Sequence, residues 1–236
     1  MAASPPGPRA SQFDRYAANY ESELAQGLRL SGEDSSYFAR QRARWLRRRL
    51  DEIGAAPSRL LDFGCGVGGA IPHLRAELGP ERVFATDVSA ASLRAAEAEH
   101  GSDSVEFGTT DQIPPGEFDL VHVNGVFHHI EPRERPAVLA AIRTALRPAG
   151  LLALWENNPW NPGTRLIMNR VEFDRDAVTL SAPVARRLLA ANGFDVVRTD
   201  FLFIFPRALA PLRRLERALA VLPLGGQYLV LARMGP

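Results

Sequence analysis

The stretch from Leu60 to Leu74, LLDFGCGVGGAIPHL, constrains the fold more than any other part of the chain. It has the pattern of a short apolar strand, a turn with four glycines, and the beginning of a helix. Glycines at such a turn let the backbone approach a ligand closely. Their spacing also satisfies the G-x-G-x-x-G pattern of nucleotide sites. Because that pattern alone is weakly specific, the surrounding residues decide which ligand the turn holds.

From Arg59 onward, strand and helix patterns alternate along the chain. Strands are predicted at 59–63, 82–86, 104–107, 118–123, 151–156, 194–205 and 228–233. Helices are predicted at 68–78, 90–100, 133–147 and 182–192. This alternation predicts an α/β fold built on a seven-stranded, mostly parallel, doubly wound sheet. Ligands of such sheets bind beyond the carboxyl ends of the strands, where the glycine turn is expected to lie.

The length of 236 residues favours one large domain. Residues 1–10 are predicted to be disordered, and residues 11–56, with two helical patterns, are predicted to form an N-terminal helical cap. Residues 57–236 are predicted to form the core. Within that core, 157–180 is expected to be a lid on the acceptor side and 207–222 a helical insertion.

Composition excludes several classes of protein. Hydrophobic residues make up 46% of the chain, and the net charge of +1 gives no global attraction to nucleic acid or to anionic membranes. Cys65 is the single cysteine, so no internal disulfide or multi-thiolate metal site can form, and no metal is predicted. The first residues do not resemble a signal peptide, and no apolar run approaches the ~20 residues of a membrane helix. A cytoplasmic location is therefore expected.

Three aspartates near strand ends narrow the choice of ligand. Asp62 precedes the first glycine by two residues, where its charge would repel a pyrophosphate but suit a cationic ligand. Asp87 ends the second strand, where a carboxylate can accept hydrogen bonds from both ribose hydroxyls. Asp111 follows the third strand, where it can accept from an adenine amino group. A cationic ligand with ribose and adenine is S-adenosylmethionine (SAM).

The sequence here resembles the class I SAM-dependent methyltransferases, specifically the small-molecule branch of the methyltransferase 11/12 type. The segments that carry the resemblance lie within Leu60–Glu156 and are LLDFGCGVG, ATDVS, TTDQIP, FDLVHVNGVFHHI and IRTALRPAGLLAL. The resemblance implies a Rossmann-like fold with an N-terminal helical lid. It also implies methyl transfer from SAM, with S-adenosylhomocysteine as the product, and a place in secondary metabolism.

The resemblance further implies a set of residues around the cofactor: Asp62, Gly64, Gly66, Gly68, Asp87, Val88, Asp111, Gln112 and Asn124. The three glycines and Asp62 would surround the methionine part, and the backbone carbonyl of Asn124 would accept from its ammonium group. Asp87 would bind ribose, Val88 would pack on adenine, and Asp111 and Gln112 would line the adenine edge. Two alternatives remain open, namely that Val88 is ordinary core and that Asp111 caps a helix.

The N-terminal helices are expected to cover the cofactor. Tyr16 and Tyr20 are four residues apart, hence on one helix face, and FDRYAANY resembles the aromatic cap segment of the family. Six arginines fall within 40–49, and most are expected to form a solvated face. Arg42 is the candidate for the methionine carboxylate. Nucleic-acid binding is not expected, because acids balance the arginines and no aromatic track accompanies them.

His128 and His129 follow the fourth strand, beside the expected position of the transferred methyl group. A histidine there can act as a base near neutral pH. By its position in the motif, His128 is expected to face the acceptor and His129 to brace the loop. His128 is therefore the candidate catalytic residue, with pocket lining as the alternative.

The segment 202–222 is unusually apolar, with leucines at 209, 212, 215, 219 and 222. Packing of this stripe on the sheet edge is the favoured interpretation. An apolar acceptor wall or a weak membrane-surface contact is the alternative.

Together these features predict SAM-dependent methyl transfer to a small-molecule metabolite, with O-methylation of an apolar or ring-containing acceptor favoured. One alternative is an NAD(P)-dependent oxidoreductase, which Asp62 and Asp111 argue against. The other alternative is a non-catalytic module that binds SAM or a partner.

Overall fold

The computed structural model describes residues 27–29, 31–171 and 177–235, and it contains one seven-stranded sheet. The strands are β1 Arg59–Phe63, β2 Arg82–Thr86, β3 Val105–Gly108, β4 Phe118–Asn124, β5 Leu146–Asn157, β6 Phe194–Leu202 and β7 Gln227–Met234. They lie in the order β3-β2-β1-β4-β5-β7-β6, and only β7 runs antiparallel to its neighbours. The predicted mostly parallel α/β sheet is confirmed.

Helices connect most of these strands. They are α1 Ser35–Glu52, α2 Ile71–Leu78, α3 Ala90–His100, α4 Arg135–Ala145, α5 Pro162–Met168, α6 Ala182–Ala191 and α7 Glu216–Leu219. Several begin at the residue types that favour a helix N-terminus. The Asp34 side chain accepts from Tyr37 N at 2.6 Å to cap α1, and the Ser89 side chain accepts from Ser92 N to cap α3. The connection between β3 and β4 contains a single 3₁₀ turn, Thr110–Gln112.

Two apolar clusters cover the two faces of the sheet, because successive strand residues point to opposite sides. Leu61 and Val121 face the cluster that includes Leu139 of α4, whereas Leu60 and Leu120 face the cluster that includes Leu46 of α1. All six side chains are fully buried. The sheet is thereby held between helices, and its carboxyl edge is left for a ligand.

Helix α1 belongs to the second of these clusters along most of its length. Leu46 and Leu50 are fully buried, and Arg49 lies against the buried Asp200 of β6, with Nε and Oδ2 2.6 Å apart. Of the six arginines, Arg42 and Arg49 are buried, and the other four are partly or fully exposed. Helix α1 is thus a structural layer of the core, and it lines the ligand cavity only between Ser35 and Arg42.

Strand β6 is shorter than predicted, because Phe203 adopts a positive φ of 65° that turns the chain out of the sheet. The helix predicted at 207–222 is instead a 3₁₀ helix, Arg207–Leu215, with a kink at Leu209, followed by α7. The favoured packing of its leucine stripe on the sheet is wrong. Leu209, Leu212, Leu215 and Leu222 are instead 37–46% exposed at the surface.

Several predictions fall outside the described residues. These are the disorder of 1–10, most of the first of the two helices predicted within 11–56, the pair Tyr16 and Tyr20, and part of the segment 157–180. The N-terminal lid therefore stays a prediction. Within the described ranges, no helix is long and apolar enough to cross a membrane.

Candidate cofactor and acceptor site

A cavity of about 890 Å³ lies at the carboxyl edge of β1, β2 and β4. That volume is in the range of small-molecule sites. Of the predicted site residues within the described ranges, the cavity brings together Arg42, Asp62, Gly64, Gly66, Asp87, Val88, Asn124 and His128. Gly68, Asp111 and Gln112 do not line it.

The glycine turn after β1 is held against the end of β2. The N–H groups of Gly64 and Cys65 both donate to the carbonyl of Thr86 at 2.8 Å. Gly64 has a φ of 76°, and a Cβ there would lie 2.4 Å from Val126 Cγ2, so only glycine fits. A Cβ on Gly66 would meet nothing within 4 Å. The backbone at Gly66 therefore borders open space in the cavity, as close approach of a ligand requires.

Gly68 has a different role from the one predicted. A Cβ at this position would lie 2.6 Å from the ring of His100 and 3.1 Å from Ala96, both on α3. Gly68 thus allows the turn to pack closely on α3 and does not face the cavity.

Asp87 fastens the glycine turn to the end of β2. Its Oδ2 accepts from Gly66 N, and its Oδ1 accepts from Ser89 N, each at 2.8 Å. Burial raises the pKa of Asp87 above that of an ordinary aspartate, although the backbone donors oppose the shift. Both oxygens keep further lone pairs, so this fixed carboxylate can accept additional donors from a ligand.

Three buried oxygen atoms near the turn lack a hydrogen-bond partner among the described residues. They are Asp62 Oδ2, Thr86 Oγ1 and Asn124 Oδ1. The other oxygen of Asp62, Oδ1, lies 2.8 Å from Nδ1 of the buried His122. Buried acceptors without partners are unfavourable, so a ligand with several N–H donors would stabilise this corner. An ammonium group is such a donor.

Arg42 enters the cavity from α1. Its side chain is 9% exposed, and Nη1 donates to the side-chain oxygen of Gln227 on β7 at 3.0 Å. The guanidinium is therefore oriented and placed at the cavity wall, as the predicted contact with a carboxylate requires.

The predicted adenine region is only partly at the cavity. Val88 is 56% exposed and lines the cavity, so the alternative that it is ordinary core is wrong. Thr110 lines the cavity in place of Asp111 and Gln112. Gln112 Oε1 accepts from Thr109 N at 2.9 Å, which is a capping contact, and a hydrogen bond from Thr109 lowers the pKa of the exposed Asp111. Adenine contacts by Asp111 and Gln112 remain predictions.

His128 is held by a carboxylate that the sequence analysis missed. Its Nδ1 lies 2.6 Å from Oε2 of Glu156, and both side chains are at most 3% exposed. The second oxygen of Glu156 accepts from Phe127 N at 2.7 Å. His128 thus carries a bracing contact itself, and the expectation that only His129 braces the loop was too simple. The sequence does contain a signal for Glu156, because it is the one acid in the otherwise apolar strand segment LLALWE and stands at its end.

The loop that carries His128 is also clamped by Arg135 at the beginning of α4. Its Nε donates to the carbonyls of Phe127 and Ile130 at 3.1 and 3.0 Å, and Nη2 donates to Val178 O at 2.7 Å. The loop is therefore fixed from two sides, and the His128 ring position is defined before a ligand binds.

Cys65 lies beside the turn but is not suited to nucleophilic chemistry. Burial, with smaller contributions from Asp62 and Asp87, raises the pKa of its thiol well above the usual range. The thiol therefore stays neutral at physiological pH, and the reacting groups have to be sought elsewhere in the cavity.

Apolar side chains line another part of the same cavity. They are Phe38, Ile167, Met168, Val171, Phe203, Ile204 and Phe205. Phe38 and Phe203 meet edge to face with ring centroids 4.9 Å apart, which joins α1 to the loop after β6. This wall is suited to an apolar ligand.

The sheet order and the glycine turn at its carboxyl edge are those of the class I SAM-dependent methyltransferase fold. The structure of DhpI in complex with S-adenosylhomocysteine superposes with a TM-score of 0.62 at 19% identity, over 96% of this chain and 95% of that chain.

Sequence comparison supports the same class. Residues 61–152 match the family model described as a methyltransferase domain. An uncharacterized methyltransferase of Synechocystis sp. is 28% identical over 157 residues, which cover 63% of this chain and 73% of that protein. A phthiotriol/phenolphthiotriol dimycocerosates methyltransferase of Mycobacterium leprae is 27% identical over 146 residues, or 60% of this chain and 53% of that protein. These comparisons support a class I SAM-dependent methyltransferase, with SAM as the cofactor.

The curated relatives differ in how much of their length is matched. The chain spans 27% of one cyanobacterial relative and 73% of another. The comparisons therefore establish the common domain, and the acceptor has to be argued from the site.

Proposed function

We propose that this chain transfers the methyl group of SAM to a hydroxyl oxygen of a small apolar or ring-containing acceptor. The observation that carries the proposal is the buried His128–Glu156 pair at the wall of the cavity. A carboxylate-braced imidazole is suited to remove a proton from a hydroxyl group.

The residues present fit the cofactor. Asp62 and Asn124 would accept from the ammonium group, and their unsatisfied oxygens support this role. Arg42 would bind the methionine carboxylate, and Asp87 would accept from the ribose hydroxyls. Gly64 lets the turn pack on Val126, Gly66 leaves open space for close backbone approach, and Val88 offers an exposed apolar surface to adenine.

When bound, SAM supplies an activated methyl group on a positively charged sulfur. The protein has to hold the acceptor oxygen in line with the sulfur–methyl bond and exclude water from it. Nε2 of His128 would take the proton that the acceptor hydroxyl loses when it is methylated. The resulting imidazolium donates from Nδ1 to Glu156, whose negative charge stabilises it, and the proton later leaves to solvent.

Support for an apolar acceptor comes from the lining of the cavity, where aromatic and aliphatic side chains of α1, α5 and the loop after β6 meet. The Mycobacterium leprae relative, named for action on phthiotriol/phenolphthiotriol dimycocerosates, is compatible with this class of acceptor.

The experiment that tests the proposal has two stages. Calorimetric titration with SAM, S-adenosylhomocysteine, NAD and NADP establishes the cofactor, and binding of the first two alone is expected. A screen of hydroxylated aromatic and aliphatic metabolites with methyl-labelled SAM then identifies the acceptor. Label transferred only to amines or thiols would contradict the O-methylation, and binding of SAM without any transfer would favour the non-catalytic module.

Glu156→Gln is expected to lower kcat about 10- to 100-fold, with SAM affinity unchanged. The amide can still accept from Phe127 N, so the loop is kept, but the negative charge that stabilises the imidazolium is lost. Steady-state kinetics on the identified acceptor measure whether the substitution changes kcat or KM.

Glu156→Asp serves as the matched control, since it keeps the charge and should recover part of kcat. Equal kcat in the wild type and Glu156→Gln would show that Glu156 is only structural.

A further inference from the structure

We propose that the segment Arg207–Leu224 docks the protein on an anionic lipid bilayer, at the apolar side of its own cavity. The inference rests on the leucines, arginines and loop contacts of this segment, and it goes beyond the proposed methyl transfer.

The first observation is the geometry of the leucines. The 3₁₀ helix has 3.0 residues per turn, so side chains three apart lie above one another. Leu212 and Leu215 are three apart, and they are 37% and 46% exposed. Val221, Leu222 and Leu224 follow after α7 and are 43–64% exposed. A run of exposed large apolar side chains on one short segment is unusual for a surface that meets only water.

The second observation is the charge that accompanies the leucines. Arg207, Arg214 and Arg217 are exposed. Within the described ranges, no carboxylate forms an ion pair with Arg214 or Arg217. The acid of this segment, Glu216, is turned inward and accepts from the backbone N–H groups of Ile204 and Phe205 at 3.1 and 3.0 Å. The outward charge is therefore positive, although the whole chain carries a net charge of only +1.

The exposed leucines and the exposed arginines together indicate which kind of partner binds this segment. Exposed leucines bordered by arginines match the interface of a bilayer, where apolar side chains enter the acyl boundary and guanidinium groups meet anionic headgroups. A purely apolar partner would leave the arginines unmatched, and a nucleic acid would leave the leucines exposed.

The third observation is the position of the segment. Phe203, Ile204, Phe205 and Pro206, which lead into it, line the cavity, and so does Arg213. Arg213 also pairs with Glu33 at 2.8 Å, which ties the segment to the beginning of α1. The surface formed by Arg207–Leu224 thus adjoins the apolar wall of the cavity. If the proposed function holds, an acceptor dissolved in the bilayer would enter from that side.

Vesicle sedimentation with the full chain and no cofactor tests the docking independently of methyl transfer. Vesicles of phosphatidylcholine with about 30% phosphatidylglycerol should bind the protein, and pure phosphatidylcholine should bind it at least tenfold more weakly. Raising the salt from about 0.05 to 0.5 M should weaken the binding, since headgroup contacts are screened.

Two variants separate the contributions of charge and apolar contact. Arg214→Gln with Arg217→Gln should weaken binding to the anionic vesicles about 20- to 30-fold, as expected for two basic residues near the surface. Leu212→Ser with Leu215→Ser should weaken it at least tenfold. The matched controls are Arg186→Gln with Arg187→Gln, and Val184→Ser, all exposed on α6, which should bind as the wild type does.

Three results would overturn the proposal: no binding of the wild type to anionic vesicles, equal binding of the Arg214/Arg217 and Arg186/Arg187 variants, or equal binding of the leucine variant and the wild type. A concentration-dependent dimer that the leucine variant abolishes, without vesicle binding, would instead identify this face as an interface between copies. Loss of docking with intact SAM binding would leave the proposed methyl transfer standing.

Discussion

His128→Gln is expected to lower kcat by roughly 10²- to 10⁴-fold while SAM affinity stays unchanged. The glutamine can still contact Glu156 but cannot take a proton from the acceptor. The loop remains clamped by Arg135, so its position should be kept. A pH–rate series on the identified acceptor measures the effect. The loss should be partly relieved at high pH, where an acceptor hydroxyl ionises unaided.

His129→Gln is the matched control, because it makes the same chemical change one residue further along the loop. Its ring lies 4.1 Å from that of His128, so a small effect on KM or on thermal stability is expected, with kcat largely kept. If His128→Gln instead raises KM and leaves turnover at pH 7 as in the wild type, His128 lines the pocket and is not the base. Proximity alone would then carry catalysis.

Asp87→Ala is expected to weaken SAM binding by roughly 30- to 1000-fold. Loss of two ribose hydrogen bonds to a charged acceptor corresponds to about 2–4 kcal/mol. The same carboxylate also holds Gly66 N and Ser89 N, so the glycine turn loses an anchor as well. Calorimetry measures the affinity, and the melting temperature without ligand separates turn distortion from lost contacts.

Asp103→Ala, at an exposed position after α3, is the control and should bind SAM normally. Asp87→Asn, which keeps one acceptor oxygen, should lie between the wild type and Asp87→Ala. Unchanged affinity in Asp87→Ala with an intact fold would remove Asp87 from the cofactor site.

The buried position of Asp87 also predicts how SAM binding depends on pH. Burial raises the pKa of Asp87, so the carboxyl takes up a proton at a higher pH than an ordinary aspartate does. Ribose hydroxyls donate to the ionised form, and binding therefore favours deprotonation. Affinity should be full at neutral pH and should fall on acidification, with the fall beginning above the usual aspartate range. Calorimetric titrations with SAM at several pH values measure this fall in affinity for the wild type and for Asp87→Asn. The variant should lack the part of the fall that comes from protonation of Asp87.

The central part of the fold could be predicted from the sequence because its signals are local. The bounds of β1 and β2 agree with the prediction, since each apolar run ends at a glycine or an acid that cannot continue it. The antiparallel place of β7 between β5 and β6 could not be predicted, because strand order depends on pairings between distant segments. The leucine spacing near 212 is likewise ambiguous, since both 3₁₀ and α-helices place every third residue close to one face.

For the site, residues within one motif could be predicted, and contacts between motifs could not. Asp87 and Gly64 were found because strand ends and glycine turns are visible in a short window. Glu156 was missed because its contact with His128 joins residues 28 positions apart, one in the loop after β4 and the other on β5. Gln227, which orients Arg42, is 185 positions away and carries no local signal of that contact.

The place of β7 in the sheet has a consequence for the order in which the chain assembles. Strand β6 pairs with β7, and β7 is synthesised about 25 residues later. Until β7 leaves the ribosome, β6 has no partner within the described sheet, and its backbone N–H and C=O groups remain open to pairing with another chain. The nascent protein can complete β3, β2, β1, β4 and β5 first, since these strands precede β6. The second half of the sheet then closes in one late step, and this step is the one most exposed to aggregation.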